Sequence, residues 1–290
     1  MLHLDLYDGA VGSGGFLIQA YDYMSKGNLS TQEQECLKRD TFFGNEKTPL
    51  GYVMGVMNMI LHGIDSPNVY KQNTLTENIR DIQEKERHNV ILANPPFGGK
   101  EKSQVQQNFP VQSGATEILF MQHFMKMLKL DGKASIVVPE GVLFQGNNAF
   151  KQVKQELLEN FNVHTILSLP AGVFLPYSGV KTNIIYFDRK GATSDIWYYE
   201  LVPPYKLTKN KPIQFDHFKE FLELYESKKE TDNSWLVKVE DIKNYDISAK
   251  NPNAEQEEEL LPPKEILKAI RTNDRKLGEL INDIESLLNE

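Results

Sequence analysis

Cysteine is nearly absent from this chain: Cys36 is the only one in 290 residues. One thiol excludes an internal disulfide framework and a zinc site of the CxxC…CxxC kind. Equally absent is any run approaching the ~20 apolar residues that cross a bilayer. The opening MLHLDLYDG carries neither a basic segment nor a cleavable apolar one. A cytoplasmic location, with no membrane partner, is the expectation. Positive charge is in deficit, with 32 Lys and Arg against 40 Asp and Glu for a net charge of −8. Phosphate neutralisation dominates affinity for nucleic acid, so such a chain is poorly equipped to grip a duplex without help.

What is present is a globular composition, 40% apolar and 25% charged, at a length that buries a core without metal or disulfide staples. Strand patterns at Leu2–Tyr7, Thr41–Gly44, Val90–Ala93, Lys133–Val138, Val163–Pro170 and Thr182–Arg189 alternate with helical ones. The helical patterns lie at Gly15–Lys26, Leu50–His62, Glu117–Leu130 and Phe150–Asn160. This alternation predicts an α/β fold with a doubly wound, mostly parallel sheet. Residues 1–190 read as the core, and 191–250 as an appendage on the sheet edge, with strands at Ile196–Val202 and Trp235–Val239 and a helix at Asp216–Lys228. Residues 251–262 read as an acidic linker before a helix over 263–290 opened by Pro262-Pro263. The first strand pattern begins at the very first residues, which reads as a fragment or a truncated reading frame.

Between the first strand and first helix stands DGAVGSGGFL, residues 8–17. Gly12, Gly14 and Gly15 allow a tight turn and close approach of a ligand at the carboxyl end of a strand. The dinucleotide fingerprint needs glycine where Leu17 stands, and a P-loop needs a Lys-Ser/Thr pair that is missing. Phosphate is therefore not the expected guest. Glu46, just after the second strand, can accept hydrogen bonds from a ribose diol. Loop and carboxylate in this order point to an adenosine-bearing cofactor.

The third strand pattern, in VILANPPF, ends in Asn94-Pro95-Pro96-Phe97. Asn-Pro commonly starts a turn, but at the end of a buried strand behind a glycine loop the tetrad suits methyl transfer to a planar exocyclic amine. The amine lone pair is delocalised into the ring, and two acceptors aimed at its N–H bonds favour the pyramidal state that attacks. Asn94 Oδ1 and the Pro95 carbonyl are the candidate acceptors. The prolines fix the backbone, and Phe97 offers a stacking face. No metal and no general base is needed before attack, and a target base in a duplex must be flipped out to be reached.

These residues resemble the γ-ordered N6-adenine DNA methyltransferases, and within them the modification subunits of type I restriction-modification systems. Further segments carry the likeness: Gly44-Asn45-Glu46, Met57–Gly63, Asn73-Thr74-Leu75, Gly132–Phe144, Leu169–Phe174, Gly179–Asn183 and Tyr245–Pro252. The resemblance implies a Rossmann-like methyltransferase fold and S-adenosylmethionine as cofactor. It places Asp8, Gly12, Ser13, Gly14, Gly15 and Phe16 along the methionine and sugar, Glu46 at the ribose and Asn73, Thr74 and Leu75 near the adenine. Phe174 is a second stacking face for the target base or a core aromatic. The implied partners are DNA, a specificity subunit and a restriction subunit.

Three departures stand against the family pattern. Gly9 and Val11 replace its usual Pro and Cys, Asn73 replaces an Asp, and the family's N-terminal helical region lies upstream of Met1, so weak cofactor binding by this chain alone is expected. In the last helix Ile266, Ile270, Asn273, Leu277, Leu280, Ile284 and Leu287 fall at alternating four- and three-residue steps, a heptad seam. It suits docking on partner helices or packing on the chain's own domain. Two other functions share the motifs: methylation of a protein glutamine amide, and a degenerate, non-catalytic subunit.

Overall fold

Strand runs rich in β-branched and aromatic residues assemble, among the residues described by this computed structural model (4–253 and 263–288), into one nine-stranded sheet. The first half contains β1 (Leu6–Asp8), α1 (Gly15–Met24), α2 (Thr31–Arg39), β2 (Phe42–Glu46), α3 (Pro49–Leu61), β3 (Asn68–Lys71) and β4 (His88–Ala93). Next come α4 (Ser103–Gln106), α5 (Thr116–Met127), β5 (Leu128–Pro139), α6 (Gly141–Phe144), α7 (Asn148–Asn160) and β6 (Asn162–Ser168). The last strands are β7 (Thr182–Asp188), β8 (Asp195–Glu200) and, after α8 (Lys219–Leu224), β9 (Ser234–Lys238).

The spatial order is β3-β2-β1-β4-β5-β7-β6-β8-β9. Pairing is parallel from β3 through β5 and between β6 and β8. It is antiparallel where β7 lies between β5 and β6, and between β8 and β9. The chain runs outward from β1 to β3 and returns to β4 on the other side of β1. That reversal is the topological switch point at which open α/β sheets bind ligands.

Successive strand residues face opposite sides, so Leu6 and Tyr7 enter different cores. Leu6 joins Leu17, Ile18, Phe42 and Met59 beneath α1 and α3. Tyr7 joins Ile91, Ile136 and Phe187 with α5, whose Ile118, Leu119 and Phe124 are fully enclosed. Each such large side chain contributes about 1.5–3 kcal/mol by leaving water.

The structure differs from the sequence reading in several elements. The strands of residues 191–250 are not appended to the sheet but hydrogen-bonded into it, β8 pairing with β6 and β9 with β8. The fifth helix stops at Met127 instead of Leu130, because Leu128 turns extended (φ −82, ψ 127) to pair with His88. The helix expected at Asp216–Lys228 is a 3₁₀ turn, Phe215–Phe218, leading into the six-residue α8. Neither α2 nor β3 is among the expected elements. Of the expected first strand, residues 2 and 3 lie outside the described residues, as do 254–262 of the linker.

Residues Asn253–Glu290 form a separate unit, which contains α9 (Pro263–Leu288). Ile266, Ile270, Leu277, Leu280 and Ile284 are exposed along it, while the side chain of Leu287 is outside those described. Among the described residues no helix is long and apolar enough to cross a membrane.

One close approach positions the site. A Cβ built on Gly55 of α3 would lie 2.6 Å from the Gly12 carbonyl oxygen, so only glycine lets the helix rest on the loop after β1. Alanine is the better helix former by about 1 kcal/mol, yet here it must push backbone apart. Gly55→Ala is expected to destabilise the fold by about 1–3 kcal/mol in urea unfolding. A stabilised variant would show that the helix and loop are not held against each other.

Candidate active site

The loop after β1 is pinned at nearly every residue. Gly12 and Gly14 take positive φ (54° and 79°), which turns the chain into α1. The Val11 N–H donates to the Asn45 carbonyl (3.1 Å), and the Ala10 N–H to Asp8 Oδ1 (2.9 Å). Asn58 of α3 donates to the Ser13 carbonyl at 2.9 Å, and the Thr74 hydroxyl donates to the Gly9 carbonyl at 2.5 Å. Val11, where the family usually has Cys, is buried in the core beneath α1.

Glu46 at the end of β2 fixes the same loop from outside. Its Oε2 accepts the Gly12 N–H at 2.9 Å, and its Oε1 accepts the Thr48 N–H at 2.7 Å and hydroxyl at 2.6 Å. A carboxylate has about four lone-pair sites, so capacity for a further donor remains. Asp8 is 2% exposed, and burial pushes its carboxyl up to about 7. The Ala10 N–H opposes that shift and the nearby Glu46 charge adds to it. Beneath, the Tyr7 hydroxyl accepts from Asn45 Nδ2 (2.9 Å) and bonds His123 Nε2 (3.0 Å), tying β1, β2 and α5 together. Burial holds the His123 ring at about 3, so it is neutral.

The tetrad leaves the end of β4 with Asn94 half-buried, Pro95 buried and Phe97 half-buried. The first turn of α5 clamps the backbone on the tetrad's C-terminal side. Thr116 Oγ1 donates to the Pro96 carbonyl (3.3 Å), the Gly98 N–H donates to Glu117 Oε1, and the Thr116 N–H donates to the Gly99 carbonyl (3.2 Å). Thr116 and Glu117 are both buried. Phe97 and Phe174 meet edge to face, with ring centroids 5.9 Å apart.

A cleft of about 520 Å³ opens between these segments, within the usual range for small-molecule sites. Gly9, Ala10 and Glu46 line it on the β1–β2 side, Asn73 and Thr74 come from the segment after β3, and Asn94 and Pro96 come from the tetrad. The structure thus brings Glu46, Asn73, Thr74 and Asn94 to one space. Asp8, Gly12, Ser13, Gly14, Gly15 and Phe16 lie in or beside the loop without lining that cleft, and Leu75 is enclosed in the core. Pro95, Phe97 and Phe174 stand outside its lining too. Glycine backbone, a carboxylate and a confined volume fit an adenosyl group.

A family model described as N-6 DNA Methylase matches residues 3–260. The chain belongs to the N-6 DNA methylase family. Within that family it is 34% identical over 300 residues to a type I restriction enzyme EcoEI methylase subunit of Escherichia coli, which covers 98% of this chain and 60% of the relative. Among solved structures it is similar to a chain from a type I R-M system (TM-score 0.83, 43% identity, 98% of this chain and 62% of that one). It is also similar to the modification subunit of a putative type I restriction enzyme from Vibrio vulnificus (TM-score 0.82, 35% identity, 87% and 56%). This member thus spans about three fifths or less of the length of these proteins.

Sequence reasoning missed Thr116 and Glu117, which hold the tetrad loop, and Glu101, which also lines the cleft. A helix start with an acidic first turn gives no sign of a partner loop some twenty residues away.

The raised Asp8 carboxyl sets a pH dependence. The folded chain holds that proton over the window from the ordinary carboxylate value near 4 up to about 7, whereas the unfolded chain has lost it. Stability therefore falls as pH rises through this window. Asp8→Asn is expected to remove a slope worth about 3–4 kcal/mol from urea midpoints measured across it; an unchanged slope would contradict a buried, proton-holding Asp8.

Proposed function

We propose that this chain carries the catalytic core of an N6-adenine DNA methyltransferase that works as the modification subunit of a type I restriction-modification complex. The observation that carries the reading is the shared cleft: Asn94 lines the same space as Gly9, Ala10 and Glu46. Family membership supports the same chemistry. S-adenosylmethionine, when bound, supplies an electrophilic methyl group on a sulfonium.

The chain's own residues do the rest. Glu46 accepts ribose hydroxyls while keeping the Gly12 N–H in place, and Asn73 and Thr74 border the purine. Asn94 Oδ1 and the Pro95 carbonyl accept the two N–H bonds of a flipped adenine. They draw its nitrogen toward the pyramidal form and stabilise the positive charge that develops on attack. Pro95 and Pro96 remove backbone freedom, and the Thr116 and Glu117 bonds keep the loop from relaxing when the amine arrives. Phe97 and Phe174 give the base an aromatic wall.

With a net charge of −8, the chain relies on a specificity subunit to hold DNA. The exposed apolar stripe of α9, from Ile266 to Ile284, is the surface it offers to that subunit's helices. A restriction subunit completes the assembly, and the location is the cytoplasm.

The test is transfer of labelled methyl from S-adenosylmethionine to DNA by the chain assembled with its specificity subunit. N6-methyladenine is the expected product, and Asn94→Ala is expected to lower the rate about 10²–10³-fold with the complex intact. Label recovered in protein glutamine, or an Asn94→Ala variant as fast as the parent, would overturn the assignment.

A further inference from the structure

The polar side chains that line the cleft are mostly committed to one another. The Thr74 hydroxyl donates to the Gly9 carbonyl and that of Thr116 to the Pro96 carbonyl. Thr48 donates to Glu46, and Glu46 already takes three donors from Gly12 and Thr48. Asn73 is held at both ends: Oδ1 accepts the Leu75 N–H at 3.2 Å and Nδ2 donates to Glu101 at 3.3 Å. Neutral and held at both ends, it offers a ligand only one further, uncharged acceptor site.

Glu101 differs. Its Oε1 takes the Asn73 amide and the Lys47 ammonium, the latter at 2.7 Å, while no hydrogen bond from the described residues reaches Oε2. The side chain is 8% exposed, and it belongs to the cleft lining together with Lys47 and Asn73. Its backbone is fixed on both sides, the N–H donating to the Gly114 carbonyl (3.0 Å) and the carbonyl accepting from Gln106 Nε2 (2.8 Å). A carboxylate oriented by two donors on one oxygen presents the other as a strong, charge-assisted acceptor. That oxygen keeps accessible surface in a cleft-lining residue, so a ligand that brings a donor finds an open acceptor there.

We propose that Glu101 accepts the exocyclic amine of the cofactor's purine and makes the cleft selective for 6-amino over 6-oxo purine nucleosides. This rests on the adenosyl-cofactor reading and goes beyond it by naming the residue that reads the purine edge. An amine offers two N–H donors at that edge. An oxo group offers lone pairs there, which the carboxylate repels, so a site built for the donor discriminates against the analogue that lacks it.

Calorimetric titration of the full chain with S-adenosylhomocysteine and with S-inosylhomocysteine tests this without any turnover. The parent chain is expected to prefer the adenosyl compound by about tenfold or more, the equivalent of one charge-assisted hydrogen bond. Glu101→Gln, whose amide can donate to an oxo group, is expected to bring the two affinities to within about threefold. Glu101→Asp, which withdraws the oxygen by one methylene, covers the case in which the Gln variant fails to fold, and it too is expected to lower the ratio. A preference that survives both substitutions overturns the role of Glu101 and leaves the cofactor reading intact. Binding of neither compound by the parent chain overturns the cofactor reading and this inference with it.

Discussion

Parallel pairing of β1 with β4, Leu6 opposite Val90 and Tyr7 opposite Ile91, is the constraint on which the site depends. Two parallel neighbours end on the same edge of a sheet, so the loop that leaves Asp8 and the tetrad that leaves Ala93 emerge side by side. No contact between the two segments has to create that proximity, because the hydrogen-bond ladder does. The adjacent β2 pairs with β1 in the same sense, Asp8 opposite Gly44, and so delivers Glu46 to the same edge.

What the edge requires in addition is rigidity, and the structure supplies it from both flanks. On one side Glu46, Asn45 and Asn58 hold the loop backbone. On the other, Thr116 and Glu117 at the start of α5 hold the backbone just past the tetrad. Carboxylates recur at this edge, as Asp8, Glu46, Glu101 and Glu117. Their environments divide their roles: Asp8 is pushed toward its neutral form by burial, while Glu46 accepts three donors and Glu101 two.

Strong local periodicity made most of the sheet legible in the sequence, and short or polar elements escaped it. The strand Asn68–Lys71 has only Val69 buried, so no alternation marks it. The helix Thr31–Arg39 buries only Leu37, but its start was readable: Ser30 and Glu33 form a capping box, the S-x-x-E signature. Of the site, the glycine loop, Glu46 and the tetrad were legible because each stands at or just past the end of a strand. Glu101 and Glu117 were not, since the partners that give them meaning, Lys47 and Gly98, stand 54 and 19 residues away. The burial of Leu75 in the core with Tyr7 and Ile91 was not legible either, since nothing in its immediate neighbours marks it as enclosed.

The central claim is that one adenosyl compound occupies the space between Glu46 and Asn94. A crystal structure of the chain grown with S-adenosylhomocysteine measures this most directly. The account predicts the ligand in the cleft bordered by Gly9 and Asn94, with its ribose at Glu46. A ligand seated elsewhere, as in the cavity lined by Arg87 and Arg189, with the cleft left vacant, would contradict it.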